Sequence, residues 1–242
     1  MQQYFIEDQV PKTLHLDGGE IHHHLRRVMR AKVNDELIVC QSGAACFLMR
    51  IQTMTDSHAT LERVHAITTP THPLFITLFQ GLIKRTHFEI SLQKAAELGV
   101  ARFVPLKSAR SIIKIDDAAL SKKTARYQTI AKEASEQSHR GDVMRVDTPI
   151  DITSIDVDAF DYVIVPYEAA SGSAFKSVLK QFKPGTSVAV VIGPEGGFTP
   201  GEIDTLCARG AHVVSLGSRI LRSESAALFT LSAINYETEL DT

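Results

Sequence analysis

Cysteine is scarce in this chain, with 3 in 242 residues. Cys40, Cys46 and Cys207 are odd in number and lack the paired spacing of a metal site. Free thiols in a reducing cytoplasm are the expectation. Long apolar runs are missing too. None approaches the roughly 18 residues needed to span a bilayer. The N-terminus, Met1-Gln2-Gln3-Tyr4-Phe5-Ile6-Glu7, lacks the basic-then-apolar layout of a signal peptide. Nor does one sign of charge dominate: 26 Lys and Arg against 28 Asp and Glu give a formal net charge of −2. The molecule is no polycation, so nucleic-acid binding would need a local basic surface. Three common signatures are also absent. There is no Gly-x-x-x-x-Gly-Lys-Ser/Thr phosphate loop, no Gly-x-Gly-x-x-Gly after an early strand, and no Gly-x-Ser-x-Gly nucleophile elbow.

What is present suits a folded protein. An apolar share of 44% supports a real core, and the length allows one large domain or a medium and a small one. Residues 1 to about 70 read as β-rich. Leu37–Cys40, Cys46–Ile51 and Ala59–Val64 are short strands, with Ser42-Gly43 as a hairpin turn. One helix interrupts them. Asp17-Gly18-Gly19-Glu20 resembles a capping box, and Ile21, Leu25, Val28 and Met29 recur at helical spacing. Such a unit is expected to be a small barrel.

Thr68-Thr69-Pro70-Thr71-His72-Pro73 is a polar linker with two prolines. After it, strands and helices alternate. Strands are expected over Leu74–Leu82, Val100–Leu106, Phe160–Pro166, Ser187–Ile192 and His212–Leu216. Helices are expected from Thr86-His87-Phe88-Glu89, read as a capping box, to Gly99, and over Asp116–Ser138, Ser173–Phe182, Thr199–Arg209 and Ser223–Leu240. Alternation of this kind implies an α/β domain, a mainly parallel sheet with helices on both faces.

Three strands of this region share one design. Val163–Glu168, Val190–Phe198 and Val213–Arg222 are apolar runs opening into loops. Ligands of open α/β sheets bind outside the carboxyl ends of the strands, so three such loops can wall one small-molecule pocket. Gly193-Pro194-Glu195-Gly196-Gly197-Phe198-Thr199-Pro200 carries most information. Its glycines permit positive φ and close approach of the backbone to a ligand. Thr199 is the expected N-cap, with Pro200 at the first helical position and Glu202 completing the box. Arg219, Arg222 and Glu224 surround the start of a final helix that is apolar nearly all round and must be buried. Arg222 and Glu224 read either as a structural ion pair or as site residues.

Two clusters could supply a basic surface: Arg26, Arg27, Arg30 and Lys32, and then Lys107, Arg110 and Lys114 continuing to Lys122, Lys123 and Arg126. A solvated helix face is the alternative reading of each. His22-His23-His24 invites a metal, but adjacent residues point about 100° apart on a helix and cannot converge on one ion. No metal is expected. Helix-surface or RNA-facing histidines are.

Gly193-Pro194-Glu195-Gly196-Gly197-Phe198, followed by Leu216-Gly217-Ser218-Arg219-Ile220-Leu221-Arg222-Ser223-Glu224-Ser225-Ala226, resembles the signature of RsmE-type 16S rRNA uridine methyltransferases, with Ser223 and Ser225 where that family usually has Thr. His23-His24-Leu25-Arg26-Arg27-Val28-Met29-Arg30, Gln93–Val100 and Glu133–Ser138 are similar to its other motifs. The resemblance runs through the whole chain in order. It implies a C-terminal SPOUT domain over 73–242 with a deep trefoil knot, which general rules of chain topology would not give. It implies a PUA-like RNA-binding barrel over 1–70 and a homodimer formed through the knotted domain. The implied activity is methylation of N3 of a uridine in the decoding region of the small subunit, in the cytoplasm, with S-adenosylmethionine as cofactor and 16S rRNA, within the 30S subunit, as partner. The implied cradle is Pro166, Tyr167, Glu168, Gly193, Glu195, Gly196, Leu216, Gly217, Ile220 and Leu221. Arg222 is expected to stabilise charge on the uracil, and Glu195 or Glu224 to accept its proton, with water as the rival. Arg26, Arg27, Arg30 and Lys84 are expected on phosphates. A SPOUT ribose 2′-O-methyltransferase and a non-catalytic ribosome-assembly factor are the alternatives.

Overall fold

The computed structural model describes residues 1–113, 117–170 and 175–239, with only the backbone of 117–119. Of the residues singled out above, Lys114, Asp116, Ser173 and Leu240 lie outside the described residues. The chain divides into two compact units, Met1–Thr71 with Ser135–Val143, and His72–Ala134 with Met144–Thr242.

In the first unit, β1 (Gln3–Ile6), β2 (Thr13–Leu16), β3 (Glu36–Gln41), β4 (Cys46–Met54) and β5 (Ala59–Ile67) form one sheet in the order β1-β3-β4-β5-β2. Only the β1–β3 pairing is parallel. Successive side chains of a strand point to opposite faces, and β3 buries both. Leu37 and Val39 pack with Tyr4, Met49, Ile51 and Leu61, whereas Ile38 and Cys40 pack with Phe5 and Cys46. Register shifts at Leu48/Met49 and Ile51/Thr53 bend β4. Ser135–Val143 belongs here although the expected boundary assigns it to residues 73–242. Glu136 Oε1 accepts from the Phe5 N–H at 2.9 Å, and the Gly141 carbonyl accepts from Gly43 N–H at 3.0 Å.

Four local expectations fail in this unit. Cys40 and Cys46 are not free. The turn at Ser42-Gly43 fixes a register that sets them directly opposite, Cα atoms 4.0 Å apart, and they are joined as a disulfide. Cys207 alone is free, and exposed. Helix α1 (Gly19–His23) starts after Gly18 with no side-chain cap, so Asp17 and Glu20 form no box. It continues as a π-helical turn over His24–Val28. That wider turn shifts the helical phase, so Leu25 is buried but Val28 and Met29 face outward. His22 is not a surface residue. It is buried and meets the Thr55 carbonyl through Nε2, while His24 meets the Tyr4 hydroxyl.

The second unit holds β6 (Phe75–Gly81), α2 (Arg85–Glu97), β7 (Arg102–Lys107), α3 (Asp117–Gln137, whose end is counted with the first unit), β8 (Arg145–Val146), β9 (Ile150–Asp151), β10 (Tyr162–Pro166), α4 (Phe175–Leu179), β11 (Ser187–Ile192), α5 (Pro200–Ala208), β12 (His212–Val214) and α6 (Ser223–Thr238). The sheet order is β12-β10-β11-β6-β7-β8, with β9 also on β7, and every pairing is parallel. Helices cover both faces, so the central strands are apolar on both sides. Ile76 and Leu78 face a core shared with Phe88 and Leu92 of α2 and Leu231 and Ile234 of α6. Phe79 faces the other, with Ile203 and Leu206 of α5.

The expected box at Thr86 and Glu89 does not form. Helix α2 starts two residues earlier, with Lys84 rather than Thr86 as its N-cap and no side-chain cap. Glu89 instead binds Arg85 and Arg126, and the hydrogen bond from Arg126 holds its carboxyl below the usual carboxylate range, with Arg85 adding to the effect. The box at Thr199 does form. Glu202 Oε2 accepts from the Thr199 N–H at 2.8 Å, and Thr199 Oγ1 accepts from the Glu202 N–H at 3.3 Å.

Candidate functional site

β12, β10 and β11 are neighbours in the sheet, so the loops after their carboxyl ends emerge side by side. They border a cavity of about 690 Å³, within the usual range for small-molecule sites. A smaller recess of about 80 Å³ adjoins it, sharing five wall residues: Pro166, Glu168, Ile220, Leu221 and Ala226. All ten residues expected for the cofactor line one or both. Gly193, Glu195 and Gly196 are on the larger, Tyr167, Leu216 and Gly217 on the smaller, and Pro166, Glu168, Ile220 and Leu221 on both. Arg222, Glu224 and Lys84 also line the larger cavity. Arg26, Arg27 and Arg30 belong to the first unit and line neither.

The glycine-rich turn is held from several sides. Gly197 adopts φ 65°, which favours glycine, and its N–H donates to the Pro194 carbonyl at 2.9 Å. Its Cα faces Glu168, whose Oε1 would lie 3.3 Å from an added Cβ. Arg110, ahead of α3, donates to the Gly196 carbonyl at 3.1 Å. On the opposite flank β6 comes close enough that a Cβ on Gly81 would sit 2.4 Å from Pro194 N. Ser223 Oγ donates to the Gly193 carbonyl at 2.5 Å and accepts from Gln80 Nε2 at 2.8 Å.

Charge at the cavity comes from Lys84 and Arg222 on one hand and Glu168, Glu195 and Glu224 on the other. Arg222 is exposed and, among the described residues, makes no ion pair. The reading of Arg222 and Glu224 as a structural pair therefore fails, because Glu224 is taken. Its Oε1 lies 2.8 Å from His87 Nδ1. Glu195 Oε1 accepts the Lys84 N–H at 3.0 Å, supplying the cap that α2 lacks. The N-termini of α2 and α6 both reach the cavity, and neither carries a cap from its own N-cap side chain. Apart from the Lys84 N–H, which Glu195 takes, the N–H groups of these first turns make this end of the cavity receptive to negative charge.

Sequence reasoning missed Gln80, His87 and Ile112 as site residues, and marked Arg110 only as part of a basic cluster. Gln80 carried a signal as a glutamine in a mostly apolar strand, and it is fully buried. His87 was absorbed into a capping box that does not exist. Ile112 is 80% exposed at the cavity wall, a position that periodicity does not mark. Of the second basic cluster, Arg126 is engaged by Glu89 and Arg110 by the Gly196 carbonyl. Among the described residues no group of three or more His, Cys, Asp or Glu could hold a metal ion, and no helix is long and apolar enough to cross a membrane.

A doubly covered parallel sheet with a cavity at its carboxyl edge is a frame shared by many enzymes, and comparison narrows it. The profile of the RNA methyltransferase domain matches residues 70–235. The ribosomal RNA small subunit methyltransferase E of Bacillus subtilis (strain 168) is 38% identical, over 99% of this chain and 98% of its own length. The enzyme of that name from Synechocystis is 30% identical over 95% of this chain and 75% of its own. The crystal structure of a ribosomal RNA small subunit methyltransferase E from Neisseria gonorrhoeae bound to S-adenosyl methionine superposes with TM-score 0.85 at 28% identity, covering 98% of this chain and 97% of that one. The chain belongs to the ribosomal RNA small subunit methyltransferase E family.

Proposed function

We propose that the protein transfers a methyl group from S-adenosylmethionine to N3 of a uridine in 16S rRNA. The observation that carries this is the single cavity bounded by the loops after β10, β11 and β12, with the exposed Arg222 on its wall. The cavity suits the cofactor. Ile192, Phe198, Ile220 and Leu221 offer apolar surface to an adenine, and Glu168 and Glu195 offer negative charge to a cationic sulfonium and amine. When bound, the cofactor supplies an electrophilic methyl group, so alignment and exclusion of water are the protein's main tasks. Arg222 is suited to stabilise the negative charge that spreads onto O2 and O4 of the uracil, aided by Lys84 and the two helix N-termini.

The same reading takes the first unit as a PUA-like barrel and the second as a knotted SPOUT domain. The bulged, curled sheet supports the one. The tie from the start of α6 back to the Gly193-Pro194 turn supports the other. Phe229 and Tyr236 of α6, 47% and 70% exposed, supply apolar surface for a homodimer. Arg27 and Arg30 are exposed and suited to phosphates, whereas Arg26 is engaged by Asp56. Such an enzyme works in the cytoplasm, where its substrate is made. The test is labelled methyl transfer to 30S particles and to naked 16S rRNA, followed by nucleoside analysis. N3-methyluridine is the expected product. A 2′-O-methyl product, or no transfer to either RNA, would overturn the assignment.

A further inference from the structure

The reaction just proposed needs a group to take the N3 proton, and the two carboxylates expected in that role, Glu195 and Glu224, are both occupied. Glu195 caps α2 through the Lys84 N–H. Glu224 is bound at 2.8 Å to His87 Nδ1. We infer that His87 is the proton acceptor and Glu224 its positioning partner. The inference rests on the methyltransferase reading and adds a residue to it.

The chemistry follows from the pairing. An ionised carboxylate can only accept hydrogen bonds, so the ring nitrogen beside it carries the hydrogen. That fixes the tautomer, leaving Nε2 with its lone pair and, among the described residues, without a protein partner. The ring lines the cavity with 38% of the side chain open. A carboxylate that orients an imidazole and then stabilises the imidazolium is a recurring arrangement in catalysis.

The step balances as follows. The uracil N3–H bond breaks and its proton passes to His87 Nε2. The electron pair left on N3 forms the new bond to the methyl carbon, and the sulfur–methyl bond breaks with its pair remaining on sulfur. Methylated base and thioether leave neutral. The positive charge that began on the sulfonium ends on the His87 imidazolium, opposite the Glu224 carboxylate, and is lost to solvent as a proton. Arg222 and Lys84 also line the cavity and are suited to the oxygens that carry the transient negative charge.

His87→Asn is the decisive variant, because its amide N–H can keep the bond to Glu224 while no basic nitrogen remains. The assay compares turnover on 30S particles whose 16S rRNA carries uridine or the more N3-acidic 5-fluorouridine, with thermal unfolding as a fold control. For His87→Asn, kcat on uridine should fall about 100-fold or more, with KM for the particle and cofactor affinity within about twofold of wild type. The defect should shrink at least about tenfold on 5-fluorouridine, since a more acidic substrate needs its base less. A variant that keeps about a third or more of wild-type turnover, or whose defect is equal on the two substrates, overturns the inference. Wild-type protein that methylates neither particle overturns the parent reading as well. An active wild type with an unimpaired His87→Asn removes His87 alone.

Discussion

Replacing Gly81 with Ala adds one methyl group where β6 passes the Gly193-Pro194 turn. That methyl would lie 2.4 Å from Pro194 N, 2.6 Å from the Gly193 carbonyl carbon and 2.9 Å from Pro194 Cδ. Carbon contacts are relaxed near 3.5–4.0 Å, so about 1 Å of separation must be found. Neither side yields easily. Gly81 pairs with Leu106 of β7, and the next residue donates its N–H to the Leu106 carbonyl at 3.0 Å. The turn is held by Arg110, Ser223 and its own Gly197 hydrogen bond. Overpacking against backbone should cost about 3 kcal/mol, a large part of the roughly 5–15 kcal/mol of a typical domain. Gly201→Ala is the matched control. It is the same chemical change in helix α5, where an added methyl meets nothing within 4 Å. There the better helix former should stabilise by about 0.5–1 kcal/mol.

Urea unfolding measures both, and calorimetry with S-adenosylmethionine measures what the displaced turn does to the cradle. The two variants should move stability in opposite directions, and Gly81→Ala should bind cofactor at least about tenfold more weakly, or about 1.4 kcal/mol. If Gly81→Ala unfolds within about 0.5 kcal/mol of wild type and binds cofactor normally, β6 does not support the turn and the reasoning fails.

Three further outcomes are expected. Arg222→Ala should lower kcat about 100-fold or more while cofactor affinity, by calorimetry, changes little; equal losses in both would make Arg222 structural. Arg30→Glu should weaken binding to 30S particles and flatten its dependence on salt, as expected when a phosphate contact is lost; unchanged binding in filter assays would remove Arg30 from the interface. Glu89 is held below the usual carboxylate range by Arg126 and Arg85, so its contribution to stability is full above the ordinary carboxylate pKa and is lost as pH falls through the depressed one. The stability gap between wild type and Glu89→Gln in urea should therefore close as pH is lowered below the ordinary carboxylate range, and a gap independent of pH would show that the Arg pairs contribute nothing.

What could be read from the chain was local, and what could not was supplied from a distance. Thr199 and Glu202 are three residues apart and need no other part of the protein to cap α5, so that box was visible. Thr86 and Glu89 have the same spacing, yet the start of α2 is set by Glu195, 111 residues away, and Glu89 is claimed by Arg126, 37 residues away. The strands β10, β11 and β12 were visible as apolar runs ending in turns. Their adjacency was not, because sheet order depends on which helix crosses which face. Cys40 and Cys46 were counted as thiols, although the same Ser42-Gly43 turn that marks the hairpin also sets them opposite each other. Val28 and Met29 fit a 3.6-residue period that the chain abandons at the π-helical turn beginning at His24.

The loops that border the cavity were legible because turns advertise themselves through glycine and proline. The groups that hold those turns do not. Gln80 is one polar side chain in a strand, Ser223 one hydroxyl at a helix start, Arg110 one cation in a loop, and Gly81 one missing methyl group. Together they fix the Gly193-Pro194-Glu195-Gly196-Gly197 segment from β6, from the β7–α3 connection and from α6. A turn so tied cannot take its bound shape before the sheet and the last helix are in place. Pocket and fold should therefore be lost in one cooperative step, with cofactor binding raising the stability of the whole second unit rather than ordering a loop on a finished scaffold.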